Sequence, residues 1–72
     1  MNQQQVKLVE NNNEKMYTIK DIQEIFQISH NTAYKLLNSR NFPKIKINKR
    51  YYVSERKLRI WIDQNTFKEL KI

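Results

Sequence analysis

The chain changes its pattern of apolar residues at Pro43, its only proline. Before Pro43, the residues Ala33, Leu36 and Leu37 have the spacing of one face of a short helix. After it, in KIKINKRYYV, apolar and basic residues alternate, as they do in a β-hairpin. Because proline breaks a helix and keeps the preceding residue extended, residues 28–53 predict a helix followed by a hairpin.

The same stretch contains all but one unit of the chain's net charge. The whole chain carries +7, with a pI near 9.9, and residues 28–53 contain six basic residues and no Asp or Glu. The six are Lys35, Arg40, Lys44, Lys46, Lys49 and Arg50. An excess confined to one third of the chain indicates a binding face for a polyanion such as a nucleic acid.

Length and composition exclude several classes of protein. Seventy-two residues allow one domain, and the absence of cysteine excludes disulfides and thiolate metal sites. No apolar run approaches the roughly 18 residues of a membrane span, and the amino terminus lacks the apolar core of a signal peptide. We therefore expect a cytoplasmic, nucleoid-associated protein with no membrane partner.

Two more helices are predicted on either side of this stretch. Thr18 and Asp21 form the capping pattern of a helix start, and Ser29 begins the next helix after a short turn. Two short helices joined in this way have the geometry of a helix-turn-helix. Ser54 begins a third helix. The apolar stripe of that helix is Leu58, Trp61 and Ile62.

These elements predict a mainly α fold with a β-hairpin, namely a winged helix-turn-helix over residues 16–65. Residues 1–15 are predicted to form a flexible polar tail, because they are rich in Gln and Asn. Residues 66–72 are predicted to be a tail or a helix extension. Phe67, Leu70 and Ile72 suit them for a protein contact.

Two registers are open to the hairpin. A two-residue loop at 48–49 pairs Ile47 with Arg50, and would put Arg50 on the buried face. A three-residue loop at 48–50 pairs Ile47 with Tyr51 instead. Since burying Arg50 without a partner would cost several kcal/mol, we expect the three-residue loop.

In the expected register, the inner face of the hairpin is apolar. It holds Ile45, Ile47, Tyr51 and Val53. The outer face then carries Lys46 and Tyr52, and Lys49 and Arg50 lie at the tip. Phe26, Tyr51 and Trp61 are expected in the core.

Residues 16–65 resemble the excisionase-type helix-turn-helix domain, which is related to the DNA-binding head of MerR-type regulators. The matching stretches are YTIKDIQEIFQIS, NTAYKLL, FPKIKINKRYYVS and LRIWI. Their order agrees with that of the family's two helices, proline, basic hairpin and Trp-containing helix. The chain departs from the family at Gln27 and Asn48, where glycine is common, and at His30, where arginine is frequent.

The resemblance implies sequence-specific binding of double-stranded DNA by a winged helix. Many members of the family are excisionases, which bind and bend DNA to help the integrase of a phage or other mobile element. Others are small transcription regulators. An integrase and neighbouring copies of the protein on DNA are therefore further expected partners.

Carried over by position, the family's DNA contacts define the predicted site. On the second helix they fall on Ser29, His30, Asn31, Thr32, Tyr34 and Lys35. On the wing they fall on Lys46, Asn48, Lys49 and Arg50. Three more residues are predicted from the residues themselves: Asn38 from the outer face of the helix, Arg40 from the basic stretch, and Tyr52 because the expected register turns it outward. Asn31, Lys35 and Asn38 share the outer face of the helix, where Asn can bind adenine and Lys can reach guanine or phosphate.

The residues give little support to an enzyme. The carboxylates are scattered, there is no thiol, and His30, the only histidine, has no evident partner. We expect no metal, no cofactor and no small-molecule ligand. The alternatives left open are a transcription regulator with the same DNA contacts, and a protein-interaction module that uses the basic face or the C-terminal tail.

Overall fold

The computed structural model describes residues 14–72 and has the predicted fold class. Its elements are β1 (Met16–Tyr17), α1 (Ile19–Phe26), α2 (His30–Asn38), β2 (Ile45–Ile47), β3 (Arg50–Ser54) and α3 (Glu55–Asn65). The strands form an antiparallel sheet in the order β1-β3-β2. With the α1–α2 pair and the β2–β3 wing, the fold is a winged helix-turn-helix.

All three predicted helix starts are confirmed. The Thr18 side chain accepts a hydrogen bond from the Asp21 N–H, and the Asp21 carboxylate accepts one from the Thr18 N–H at 2.9 Å. Ser29 and Ser54 each accept a bond at 3.2 Å from the N–H three residues further on. These bonds satisfy backbone donors that the helix itself leaves free, so the local sequence determines where each helix begins.

The turn between α1 and α2 depends on Gln27. Its backbone is left-handed, with φ 54° and ψ 52°, and the Ile28 N–H donates to the Gln23 carbonyl at 3.0 Å. This is the arrangement in which glycine usually ends a helix. Gln27 therefore adopts the glycine conformation despite its side chain, and the turn keeps its geometry.

The hydrophobic core lies where the three helices meet the inner face of β3. Its buried residues are Ile22, Ala33, Leu36, Leu37, Phe42, Tyr51, Val53 and Leu58. The Trp61 ring packs edge-on against Phe26 and Phe42, with ring centroids 6.2 and 4.7 Å away. Tyr51 is thus a core residue, and Phe26 and Trp61 pack against the core as predicted. Phe42, just before the proline, is buried as well.

The predicted register of the hairpin is wrong. The loop has two residues, Asn48 and Lys49, and Ile47 pairs with Arg50. Both loop residues have positive φ, 48° and 73°, as in the type I′ turn. That turn is favoured in two-residue loops because its twist matches the twist of the strands. The predicted burial cost does not arise, because Arg50 is exposed in the observed register.

The register also changes which side chains share a face. Ile45 pairs with Tyr52 and Lys46 pairs with Tyr51. Tyr51 remains on the inner face as predicted, but Ile45 and Ile47 are exposed and lie on the opposite face. Lys46 and Tyr52, predicted to share the outer face, are therefore on opposite sides of the hairpin.

The two ends of the described chain meet different elements. Lys15 and Glu14 contact the start of α3: the Lys15 carbonyl accepts from the Glu55 N–H, and Glu14 accepts from the Ser54 hydroxyl at 2.6 Å. The rest of the predicted polar tail lies outside the described residues. At the other end α3 stops at Asn65, and residues 66–72 form neither a helix nor a strand. None of the helices within residues 14–72 has the length and apolar composition that a membrane span requires.

Candidate nucleic-acid interface

The outer face of α2 presents a row of polar side chains to solvent. The exposed members of the predicted set on this helix and its cap are Ser29, His30, Asn31, Tyr34, Lys35 and Asn38. Thr32 is half-buried, and its hydroxyl accepts from the Ser29 hydroxyl at 3.1 Å. Ser29 and Thr32 are therefore first of all parts of the helix cap.

Aromatic contacts connect this helix to the wing. The rings of His30 and Tyr34 are stacked, with centroids 6.4 Å apart and planes 12° apart. Tyr34 meets the ring of Tyr51 edge-on at 6.0 Å. The Tyr51 hydroxyl donates a hydrogen bond to the side-chain oxygen of Asn38. These contacts hold the wing and α2 in one relative orientation.

A cleft of about 300 Å³ lies between α2 and the wing. It is lined by Thr18, Ile19, His30, Tyr34, Lys49, Arg50, Tyr51 and Tyr52. β1 pairs only with Val53 and Ser54, so nearer the tip β3 has β2 on one side and no strand on the other. Residues 50–52 of this part of β3 line the cleft. Five predicted site residues, from two separate elements, thus line one concave surface.

The other predicted site residues lie outside this cleft. Asn31 and Lys35 are exposed further along the face of α2, and Asn48 is exposed at the wing tip. Arg40 is exposed just after the end of α2. Lys46 lies over the Tyr51 ring, with its Nζ 5.4 Å from the centroid.

Sequence reasoning missed three residues of the cleft. Thr18 and Ile19 reach it only because α1 starts beside the wing, a contact for which the local sequence carries no signal. Tyr51, which the sequence predicts only as a core residue, is buried and also lines the cleft. The two-residue loop would have revealed the Lys46–Tyr51 pair, because the register follows from loop length.

The acidic side chains near the sheet and helix starts are used in stabilising contacts away from the wing tip. Glu14 lies 3.4 Å from Arg56, and Glu55 lies 3.4 Å from Arg59 and accepts from the Tyr17 hydroxyl at 3.2 Å. The hydrogen bond from Ser54, with the charge of Arg56, lowers the pKa of Glu14. Partial burial, with the bond to Glu55, raises the pKa of Tyr17.

No cluster of His, Cys, Asp or Glu within residues 14–72 is arranged to hold a metal ion. The titratable and polar side chains that line the cleft are instead Lys49, Arg50, His30, Thr18 and three tyrosines. Cations and hydroxyls beside aromatic rings suit the phosphates and sugars of a nucleic-acid backbone.

Comparison with protein families agrees with this geometry. The model of the family described as "Helix-turn-helix domain" matches residues 16–66, which is most of the chain. The chain belongs to this family. The match begins at β1 and ends just past α3, so it includes both the α1–α2 pair and the wing. No curated protein and no solved structure matches the chain.

As a helix-turn-helix domain, the chain is a DNA-binding domain for double-stranded DNA. In such domains the second helix of the pair is the one that enters the major groove. Here that helix is α2. Its outer face is the one that carries the exposed polar row and points away from the core.

Proposed function

We propose that the protein binds duplex DNA sequence-specifically, with α2 in a major groove and the wing tip at the adjoining backbone or minor groove. The shared cleft is the observation that carries this proposal. One DNA backbone separates the two grooves. A protein that occupies both grooves must therefore leave room for that DNA strand between the helix and the wing. The cleft between α2 and the wing supplies that room, and Lys49 and Arg50 line it.

Each part of the site has a distinct role in this proposal. Asn31 and Lys35 face the base edges from α2, where Asn suits adenine and Lys suits guanine or phosphate. Ser29 lies at the start of the same helix, where backbone N–H groups favour phosphate. Tyr34 and Tyr52 line the cleft, so their rings and hydroxyls would lie beside the DNA strand that it receives.

The conformation of Lys49 supports a role for the wing tip in binding. With φ at 73°, it occupies the second position of a turn in which glycine is preferred. A residue held in a sparsely populated conformation costs of order 1–3 kcal/mol and is common at functional sites. A lysine that tolerates this cost places its charge at the outermost point of the wing, where DNA can reach it.

Salt dependence of binding tests the mechanism directly. About five to seven phosphate contacts predict a log–log slope of affinity against salt near −5 to −6. Lys35→Ala should make this slope about one unit less steep. Lys57→Ala, an exposed lysine of α3 outside the cleft, is the matched control and should leave the slope unchanged. A slope near zero for the unmodified protein would rule the mechanism out.

The biological role that we propose is that of an excisionase of a mobile element. The resemblance of residues 16–65 to excisionases supports it, and so does the small size of a single DNA-binding head. One head buries little surface, so several copies on neighbouring sites, together with DNA bending, would be needed for tight binding. Recombination in vitro with the integrase of the same element should shift toward excision when the protein is added. No effect would remove this role.

Transcription regulation is the alternative use of the same DNA contacts. It is distinguished by where the binding sites lie. Mapping the sites on the DNA of the element should place them in the arms that the integrase binds if the protein is an excisionase. Sites confined to a promoter would favour a regulator.

A second candidate function, a protein contact, is favoured by the C-terminal tail. Phe67 is fully exposed, and Leu70 and Ile72 are half-exposed. The last two lie beside an apolar groove that includes Leu36 and Trp61. A chain that ends at Asn65 should keep its DNA affinity but lose any stimulation of the integrase, if the tail makes that contact. Unchanged stimulation would assign the contact elsewhere.

A further inference from the structure

The wing carries two exposed isoleucines on the face opposite the core. Ile45 is 49% exposed and Ile47 is 52% exposed. In the observed register they share their face with Arg50 and Tyr52, because cross-strand partners lie on the same side of a hairpin. Arg50 and Tyr52 both line the cleft, so the apolar face is continuous with the proposed DNA surface.

An exposed apolar face of this kind favours self-association unless a partner covers it. β2 is an edge strand, and exposed apolar residues on an edge favour aggregation. Pro43, Lys44 and Lys46 reduce that risk along the strand, but they do not cover the isoleucines. Ile47 is the last residue of β2 and lies directly before the tip residues Asn48 and Lys49.

We propose that Ile47 enters the DNA minor groove beside Arg50 and packs against deoxyribose and the edge of a base-pair step. The inference rests on the proposed function and names the subsite that the wing occupies. Charge supports DNA as the occupant, since the cross-strand partner of Ile47 is an arginine and residues 28–53 contain no acid. Ile45, two residues further from the tip, lies at the rim of the groove.

The chemistry of the minor groove predicts what Ile47 selects. A·T pairs present only acceptors there, whereas G·C adds the 2-amino group of guanine, which obstructs an apolar side chain. Apolar side chains that enter the minor groove open base steps and kink the duplex. Flexible pyrimidine–purine steps resist this least, so Ile47 makes the wing prefer such a step without any hydrogen bond to a base.

The test uses the full chain and a duplex selected from a random library by the unmodified protein. Ile47→Thr keeps the β-branched shape that suits a strand but removes apolar surface. It should weaken binding about fivefold. The salt slope should stay unchanged, because no charge is removed. Ile45→Thr is the matched control in the same strand and should weaken binding less.

A second measurement locates the contact in the minor groove. Each base pair of the selected duplex is replaced in turn by G·C or by inosine·C, which differ only in the guanine 2-amino group. Within the wing's part of the site, G·C should bind the unmodified protein more weakly than inosine·C. The difference should shrink in Ile47→Thr. The DNA bend, measured by fluorescence energy transfer between the duplex ends, should also decrease in this variant.

The outcomes separate the inference from the proposed function. If Lys35→Ala changes the salt slope while Ile47→Thr leaves affinity, bend and the guanine effect unchanged, the wing subsite is wrong and DNA binding stands. If no duplex is selected, the proposed function fails and the inference fails with it. Equal losses in Ile45→Thr and Ile47→Thr, or a loss of thermal stability that accounts for the weaker binding, would also overturn the inference.

Discussion

The hydroxyl of Tyr51, on the inner strand of the wing, donates a hydrogen bond to the side-chain oxygen of Asn38, in the last turn of α2. The ring of the same tyrosine also meets the ring of Tyr34 edge-on, and Tyr34 lies about one turn before Asn38 in α2. One buried side chain thereby joins the two elements that are proposed to hold DNA. The spacing between helix and wing is therefore a property of the folded protein and need not be created when DNA binds.

Removing the Tyr51 hydroxyl should loosen this connection. We expect Tyr51→Phe to lower the free energy of unfolding by about 1 kcal/mol, the typical net value of such a bond. DNA affinity should fall as well, because the wing must then be ordered on binding. Urea denaturation and DNA titration measure the two effects. Tyr52→Phe is the stability control, and equal stability of the two variants would contradict the structural role of the bond.

Replacing Lys49 by glycine should raise stability and weaken DNA binding together. Glycine adopts the observed positive φ without steric cost, so Lys49→Gly should stabilise the protein by up to about 1 kcal/mol. It also removes one charge from the wing tip, so the salt slope should become about one unit less steep. Thermal unfolding and DNA titration at several salt concentrations check both parts.

Lys49→Gly is expected to raise stability and to lower DNA affinity, so the two effects of the lysine can be separated. A stabilised protein with unchanged DNA affinity and salt slope would mean that Lys49 has no contact with DNA. A destabilised protein would mean that the lysine itself supports the turn, for example through its aliphatic stem. Higher stability together with weaker DNA binding is expected only if Lys49 is strained in the turn and its charge contacts DNA.

Gln27→Gly should stabilise the turn between α1 and α2. The left-handed conformation of Gln27 costs a non-glycine residue about 1 kcal/mol or more. The larger freedom of glycine in the unfolded chain offsets part of the gain. We expect a net increase of up to about 1 kcal/mol in chemical denaturation. Gln23→Gly, within α1, is the matched control and should destabilise by roughly the same amount.

Glu14 should make stability depend on pH in the acidic range. The bond from Ser54, and secondly the charge of Arg56, hold the pKa of Glu14 below its ordinary value. A carboxylate with a lowered pKa stabilises the folded state above its unfolded pKa of about 4.3, and this contribution disappears as the pH falls through the folded pKa. Glu14→Gln should therefore flatten the acid limb of the stability profile.

Replacing Arg56 separates the two interactions that lower the pKa of Glu14. Because the hydrogen bond from Ser54 is the larger cause, Arg56→Met should reduce the pH dependence without abolishing it. Thermal unfolding from neutral to strongly acidic pH measures all three proteins. An acid limb of the same steepness in the unmodified protein and in Glu14→Gln would show that this contact contributes nothing in solution.

The helices and the charge of the interface could be predicted from the sequence alone. The capping residues Thr18, Ser29 and Ser54 and the apolar spacing of each helix act over three or four neighbouring residues, so the printed order of residues is sufficient. The same holds for the polar face of α2, because a helix determines which residues lie opposite its buried stripe. The fold class then followed from the order of these elements.

Tertiary structure decided the register of the wing and the shape of the site. Both registers of residues 45–53 alternate correctly along each strand, and the choice between them depended on whether Ile45 and Ile47 were buried by other parts of the chain. They are not, so the two-residue turn at Asn48 and Lys49 prevails and Tyr51 faces α2. Local pattern specifies how a strand alternates, but only contacts between distant elements determine which of its faces is covered.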